Sequence, residues 1–415
     1  MSLNNLPPEL IDQILSDHCL KRYDLASLAL VNRRLSKAVL PALYRDVTLY
    51  RNFKGPSSSF TDLIRTVTAR PELAKYTRSV SVVSISSGLD VEIDALRLFH
   101  SIESLRVNAT ARLDLACVLP ANPLAKLQCL EFYTPLPIPF DDMARFIQLP
   151  ALESLTVGRE LETSSEPASS VRKIEHRSSL KTLIISASSD YSAGLDLLLP
   201  NCPALTLFAY IIKKPTNTYL GDVHPGPLSQ VLSHCRETLV SLELGYQNDE
   251  SVGEETAFDL TCLTNLKTLR ANSIFLFQKP ADSNPADRQG FYSRLPPSLE
   301  TLKITFPRSR CAFRSKDDPE PERYLDMKFK DINLLWLAEI AQYKHARLSN
   351  ISFVCIKEVP CRSCVMAPTS ADCDPPPIIE NTFRDAGIAI DLSLRLAQPR
   401  IGPRTYISVS VPGLA

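Results

Sequence analysis

Apolar residues follow two different periods along the chain. Over residues 6–50 they recur at helical spacing. Pro7 and Pro8 stand where a missing N–H costs a helix little, and Leu10, Ile11, Ile14 and Leu15 then form an apolar stripe. Asp24 is placed to cap a second helix carrying Leu25, Leu28 and Val31, and a third helical stretch around Ser36 to Leu40 meets Pro41 and runs into Leu43-Tyr44-Arg45. Three short helices cannot hide this much leucine among themselves, because so small a unit has little interior. A partner surface is implied.

A polar break, Arg51 to Ser59, precedes a change of pattern. From about residue 77 apolar residues occupy positions 1, 4 and 6 of a recurring hexad: Ile102/Leu105/Val107, Leu127/Leu130/Phe132, Leu152/Leu155/Val157, Leu180/Leu183/Ile185 and Leu205/Phe208/Tyr210. Leu239/Leu242/Leu244, Leu266/Leu269/Ala271, Leu299/Leu302/Ile304 and Leu348/Ile351/Phe353 continue it, and Val80 and Val82 form a weaker first copy. The steps between first positions are 25, 25, 25, 28, 25, 34, 27, 33 and 49 residues. The early ones lie in the leucine-rich-repeat range. Positions 4 and 6 share one side of a strand and position 1 packs at its entrance. Helical stretches such as Val91–Phe99 and Leu228–His234 return the chain, and each unit hides its apolar edge by stacking on the next. Gln278–Gly290 and Pro307–Glu322 read as inserted surface loops, and Ile388, Ile390, Leu392 and Leu394 as a capping strand.

The pattern predicts an α/β fold: a small all-α unit at 1–50, a linker and solenoid entry at 51–76, a leucine-rich-repeat horseshoe solenoid at 77–358, and a loop with a capping segment at 359–415. Composition fits a globular chain, with 44% hydrophobic and 22% charged residues. A formal net charge of zero gives no field that favours nucleic acid or anionic membrane, so neither is an expected partner. The N-terminus has no basic stretch before an apolar one, and no apolar run is long enough to span a bilayer. With 11 scattered cysteines, the chain is expected inside the cell, in cytoplasm or nucleus, with reduced thiols. Cys202, Cys235 and Cys262 each precede a repeat leucine, where a small buried hydrophobe packs.

Leu6-Pro7-Pro8-Glu9-Leu10, then Asp24-Leu25, Leu28, Val31, Asn32-Arg33-Arg34 and Leu43-Tyr44-Arg45, resemble the F-box motif. The departures are Tyr44 where many members have tryptophan, and Lys21-Arg22-Tyr23 where proline is common. The resemblance implies binding to the Skp-type adaptor of cullin–RING ubiquitin ligases, with Leu6, Pro7, Leu10, Ile14, Leu25, Leu28, Val31 and Leu43 building or supporting that surface. The function it implies is that of a substrate receptor directing a protein target to ubiquitination and degradation. A scaffold that binds the adaptor without directing ubiquitination is one alternative, and an enzyme with a C-terminal zinc site is another.

The chain is not expected to be an enzyme. It has no G-x-G-x-x-G, P-loop, H-E-x-x-H or G-x-S-x-G. Cys361-Arg362-Ser363-Cys364 is half a zinc site, but Cys355 and Cys373 do not supply a second half at short spacing, so no metal or cofactor is expected. Trp336 is expected in a helical core. Position 5 of each hexad should face outward, giving Arg106, Glu131, Thr156, Ile184, Ala209, Glu243, Arg270 and Lys303. Position 2 adds Lys181, Lys267 and Glu300, and Ile184, Lys267, Arg270 and Lys303 are the expected target-binding residues: an apolar middle beside a basic end.

Overall fold

The computed structural model describes residues 7–15, 20–52, 55–56, 58–84, 95–109, 124–134, 138–158, 161–162, 177–187, 192–212, 226–246, 258–277, 284–307, 312–313, 331–358, 370–372 and 375–395. Leu6, Cys361, Cys364 and Cys373 lie outside them. Helices α1 (Pro8–Leu15), α2 (Arg22–Val31) and α3 (Arg33–Arg45) open the chain. The Pro7 carbonyl accepts the Leu10 and Ile11 N–H groups at the start of α1. Asp24 is not the cap of α2. It lies one turn inside, and its carboxylate accepts the Lys21 N–H at 3.0 Å. Asn32 ends α2 and caps α3, its side chain accepting the Leu35 N–H at 2.8 Å. Nor does α3 stop at Pro41: Ala38, Val39, Ala42 and Leu43 all pack on the bundle core and carry the helix through to Arg45.

Sixteen strands follow: β1 (Asp46–Asn52), β2 (Gly55–Pro56), β3 (Ser79–Ser84), β4 (Ser104–Ala109), β5 (Cys129–Tyr133), β6 (Ile138–Pro139), β7 (Ser154–Gly158) and β8 (Leu161–Glu162). Then come β9 (Thr182–Ala187), β10 (Leu207–Ile212), β11 (Ser241–Tyr246), β12 (Thr268–Asn272), β13 (Thr301–Phe306), β14 (Phe353–Glu358), β15 (Ser370–Asp372) and β16 (Ala389–Arg395). Fourteen join one open sheet in the order β15-β16-β14-β13-β12-β11-β10-β9-β7-β5-β4-β3-β1-β2. The run from β16 to β1 is parallel, and β15 and β2 pair antiparallel on its two edges. Of its twelve parallel strands, ten come from the hexads and one, β16, is the expected capping strand. The remaining one, β1, directly follows α3 inside a segment expected to be all helical.

Hexad positions are in strict register. Position 4 runs Val47, Val80, Leu105, Leu130, Leu155, Leu183, Phe208, Leu242, Leu269, Leu302, Val354 and Ile390. All but Ile390 are buried, and they form one continuous core with position 6 and the apolar faces of the helices. Among the described residues those helices therefore cover one face of the sheet and leave the other open. One rung earlier, the carbonyl at position 2 of each unit accepts both the position 2 and position 3 N–H groups of the next: Arg78 from Glu103 and Ser104, Glu103 from Gln128 and Cys129, and onward to Glu300 from Ser352 and Phe353.

Two expectations are corrected. The last hexad is Ile351/Val354/Ile356, not Leu348/Ile351/Phe353. Val354 pairs with Leu302 and is fully buried, whereas Phe353 pairs with Thr301 on the open face. The described parts of the insertions are also not wholly surface loops: Pro285, Arg288, Ala312 and Phe313 are buried, while Asn284, Asp287 and Gln289 are exposed. The Arg288 guanidinium sits over the rings of Phe277, Phe306 and Trp336 at 5.2, 4.9 and 5.8 Å and donates to the Ala312 carbonyl. The Ala312 N–H in turn donates to the buried Glu358 carboxylate at 2.7 Å. Trp336 is fully buried in the helix Asp331–Gln342, as expected.

Candidate adaptor and target surfaces

The three-helix unit is filled by Ile11, Leu15, Leu25, Leu35 and Val39. On α1 the apolar stripe splits into two pairs at i,i+4 spacing. Ile11 and Leu15 point into the bundle, while Leu10 and Ile14 remain 45% and 41% exposed. On α2, Leu25 points inward, Leu28 packs partly against the core, and Tyr23, Leu30 and Val31 face outward. Pro7, Leu10, Ile14 and Val31 thus lie where a partner can reach them. Leu25 instead packs in the bundle interior. Leu28 and Leu43 are half-buried. Leu30, at 87% exposed, is absent from the expected set. Its spacing to Tyr23 and Ser27 puts all three on one helical face, the one signal that could have found it.

The bundle joins the sheet with no intervening linker. The Arg78 N–H donates to the Arg45 carbonyl at 2.9 Å, one repeat before the same bond recurs between Glu103 and Arg78. The buried Thr77 hydroxyl donates to the Tyr44 carbonyl at 3.0 Å. Tyr44 and Arg45 therefore occupy positions 1 and 2 of a unit whose positions 4 and 6 are Val47 and Leu49.

On the open face the position 5 column appears as expected: Arg106, Glu131, Thr156, Ile184, Ala209, Glu243, Arg270 and Lys303 pair in order, followed by Cys355 and Asp391. Arg106 donates to Glu131 at 2.7 Å, and that carboxylate holds the guanidinium pKa above its ordinary value. The Tyr133 hydroxyl lies 3.5 Å from the same carboxylate, and burial, then Glu131, raises the phenol pKa. The Tyr133 ring lies across Gly158 of the next strand, where a Cβ would come within 2.2 Å of it. Burial, then the Asp391 carboxylate, pushes the Cys355 thiol up to about 11, so at neutral pH it is the donor to Asp391 at 3.5 Å.

The expected basic end is partly offset by carboxylates. Lys267 lies in the position 2 row, as its place in the hexad implies, and pairs there with Glu300 at 2.9 Å, as Lys181 pairs with Glu153 and Arg78 with Glu103. Arg270 lies 4.0 Å from Glu243, and Lys303 stands over the Phe353 ring at 5.6 Å. Ile184 sits on the open face, half-buried. Cys202 and Cys235 are buried as expected, but Cys262 is exposed. Among the described residues no cluster of three or more His, Cys, Asp or Glu is placed to hold a metal ion, and no helix is long and apolar enough to cross a membrane.

No curated protein matches the chain. The F-box-like family model matches residues 3–50, the span of the three-helix unit and the start of β1. The chain thus opens with an F-box-like domain and continues into a mixed α/β body built on an open sheet of twelve parallel strands.

Proposed function

We propose that this chain is a substrate-recognition subunit of an SCF-type ubiquitin ligase. In this reading the F-box-like domain holds the Skp-type adaptor, and through it a cullin–RING ligase, while the body is a leucine-rich-repeat solenoid whose open face holds a protein target. The chain contributes proximity and orientation, with no bond-making group of its own. The observation that carries the reading is the outward placement of Leu10, Ile14, Leu30 and Val31 on a bundle whose interior is already filled. Four large apolar side chains left in water on two short helices mark a surface that a partner covers. The direct run from α3 into the sheet supports a receptor in which adaptor and target are held at a set distance.

Affinity purification of the wild type beside a Leu10→Arg/Ile14→Arg variant tests it. Adaptor and cullin should be recovered with the first and lost with the second, and a target should accumulate in cells carrying only the variant. A folded variant that retains the adaptor would refute the assignment. A target that is bound but never stabilised would instead favour a scaffold.

A further inference from the structure

One strand of the open face differs from its neighbours. β10 turns Leu207, Ala209 and Ile211 outward, whereas β9 offers Thr182, Ile184 and Ser186, and β11 offers Ser241, Glu243 and Gly245. Ala209 is only 4% exposed although it lies on the open side, because Leu207 and Ile211 flank it along the strand and Ile184 and Glu243 across it. A methyl group among four longer side chains leaves a shallow apolar dip. Ile211 lies close over Gly245 of β11, where an added Cβ would stand 3.1 Å from it.

Beyond the dip, the column continues through Glu243, Arg270, Lys303, Cys355 and Asp391, with exposed Lys357 in the next outward column of β14. Three cations here face two carboxylates, and Asp391 is already engaged by the Cys355 thiol. The excess charge is positive and lies to one side of the dip. Strands about 4.8 Å apart put Arg270 roughly 10 Å and Lys303 roughly 14 Å from Ala209. An extended chain advances about 3.3–3.6 Å per residue and turns alternate side chains to one side. A side chain about four residues from one seated over Ala209 therefore reaches Lys303, and one about two residues away falls between Glu243 and Arg270.

We propose that the occupant of this face is an extended segment of a partner protein that crosses the strands along this column. A large aliphatic or aromatic side chain sits over Ala209, and an acidic side chain about four residues further on meets Lys303 and Arg270. An acidic residue at an odd separation from the anchor points away from the sheet, and one at two positions stands between Glu243 and Arg270, whose charges offset each other. The proposal rests on the open face being the target surface and adds the chemistry of what binds there.

The test is an array of serine-rich peptides, each with one Phe and one Glu at separations from one to six residues, probed with the full chain. Binding should peak at a separation of four and be weakest at the odd separations. Lys303→Glu should reduce the peak at least tenfold and transfer preference to the peptide with Lys in place of Glu. Ala209→Gln, which fills the dip, should reduce all binding at least tenfold. A flat profile, no binding, or a Lys303→Glu variant with unchanged preference would overturn the proposal. Adaptor capture on the same samples reports on the F-box reading separately. A cellular partner lost on Ala209→Gln alongside a flat profile would remove the spacing rule and leave open-face recognition standing.

Discussion

Truncation of the outward leucines should separate adaptor binding from folding. Full burial of a Leu or Ile side chain is worth about 1.5–3 kcal/mol. Leu10 and Ile14 are 45% and 41% exposed, so a partner that covers them completes only the remaining part. Scaling by those fractions gives roughly 1.3–2.6 kcal/mol for the pair, or about a 10- to 80-fold rise in Kd for Leu10→Ala/Ile14→Ala. Leu30, 87% exposed, carries about the same amount alone if the adaptor covers it. The assay is calorimetric titration of the purified chain with purified adaptor, alongside urea unfolding of each variant. Unfolding midpoints should stay near wild type, because these side chains contribute little to the bundle interior. Leu35→Ala, in the filled interior, is the opposite control: a loss of roughly 2–5 kcal/mol in stability. If both outward variants fold normally and keep the wild-type Kd, the adaptor does not bind this face.

Three further outcomes are expected. Leu155→Ala, fully buried in the middle of the position 4 row, should cost roughly 2–5 kcal/mol in urea unfolding, and a loss under 1 would contradict the continuous core. Iodoacetamide at pH 8 should modify exposed Cys262 well before Cys202 and Cys235. Burial raises those two thiols to about 12 and about 11, so at that pH both are protonated and unreactive; peptide mapping by mass spectrometry reads the order. Gly158→Ala should displace the Tyr133 ring and break its contact with Glu131, seen as a downward shift of the phenol pKa in an ultraviolet titration, whereas an unchanged titration would mean that the ring does not lie over Gly158.

Much of the architecture could be read from the alternation of apolar positions, since a residue at position 4 has no place but the core once strands pair in register. The same rule misled at the end of the run. Leu348/Ile351/Phe353 and Ile351/Val354/Ile356 both satisfy the 1-4-6 spacing, and only the start of β14 at Phe353 decides between them. β1 escaped notice because α3 continues past Pro41 and hands over to a strand within one residue, leaving no polar punctuation between them. The outward apolar face of the three-helix unit was half legible. α2 is apolar on two faces, so spacing alone identifies Leu25 and Leu30 as hydrophobic without saying which points inward; packing on α3 decides that. On the open face, the column was readable from parity, but its charge balance was not, because the Arg270–Glu243 pair joins residues far apart in the chain.

The shared rung between the F-box-like domain and the sheet affects how the protein can be dissected. A deletion ending at residue 50, the obvious way to remove the adaptor-binding unit, also removes most of β1 and the Tyr44 and Arg45 carbonyls that receive Thr77 and Arg78. It strips β3 of its neighbour and leaves an unpaired parallel edge, with Val80 and Val82 no longer backed by Val47 and Leu49. Such an edge invites strand pairing between molecules. A truncated chain that loses a binding partner would then report aggregation rather than loss of the F-box-like domain's own contacts. Point substitutions on the outward faces of α1 and α2, which leave the first rung in place, are the cleaner way to disconnect the two halves.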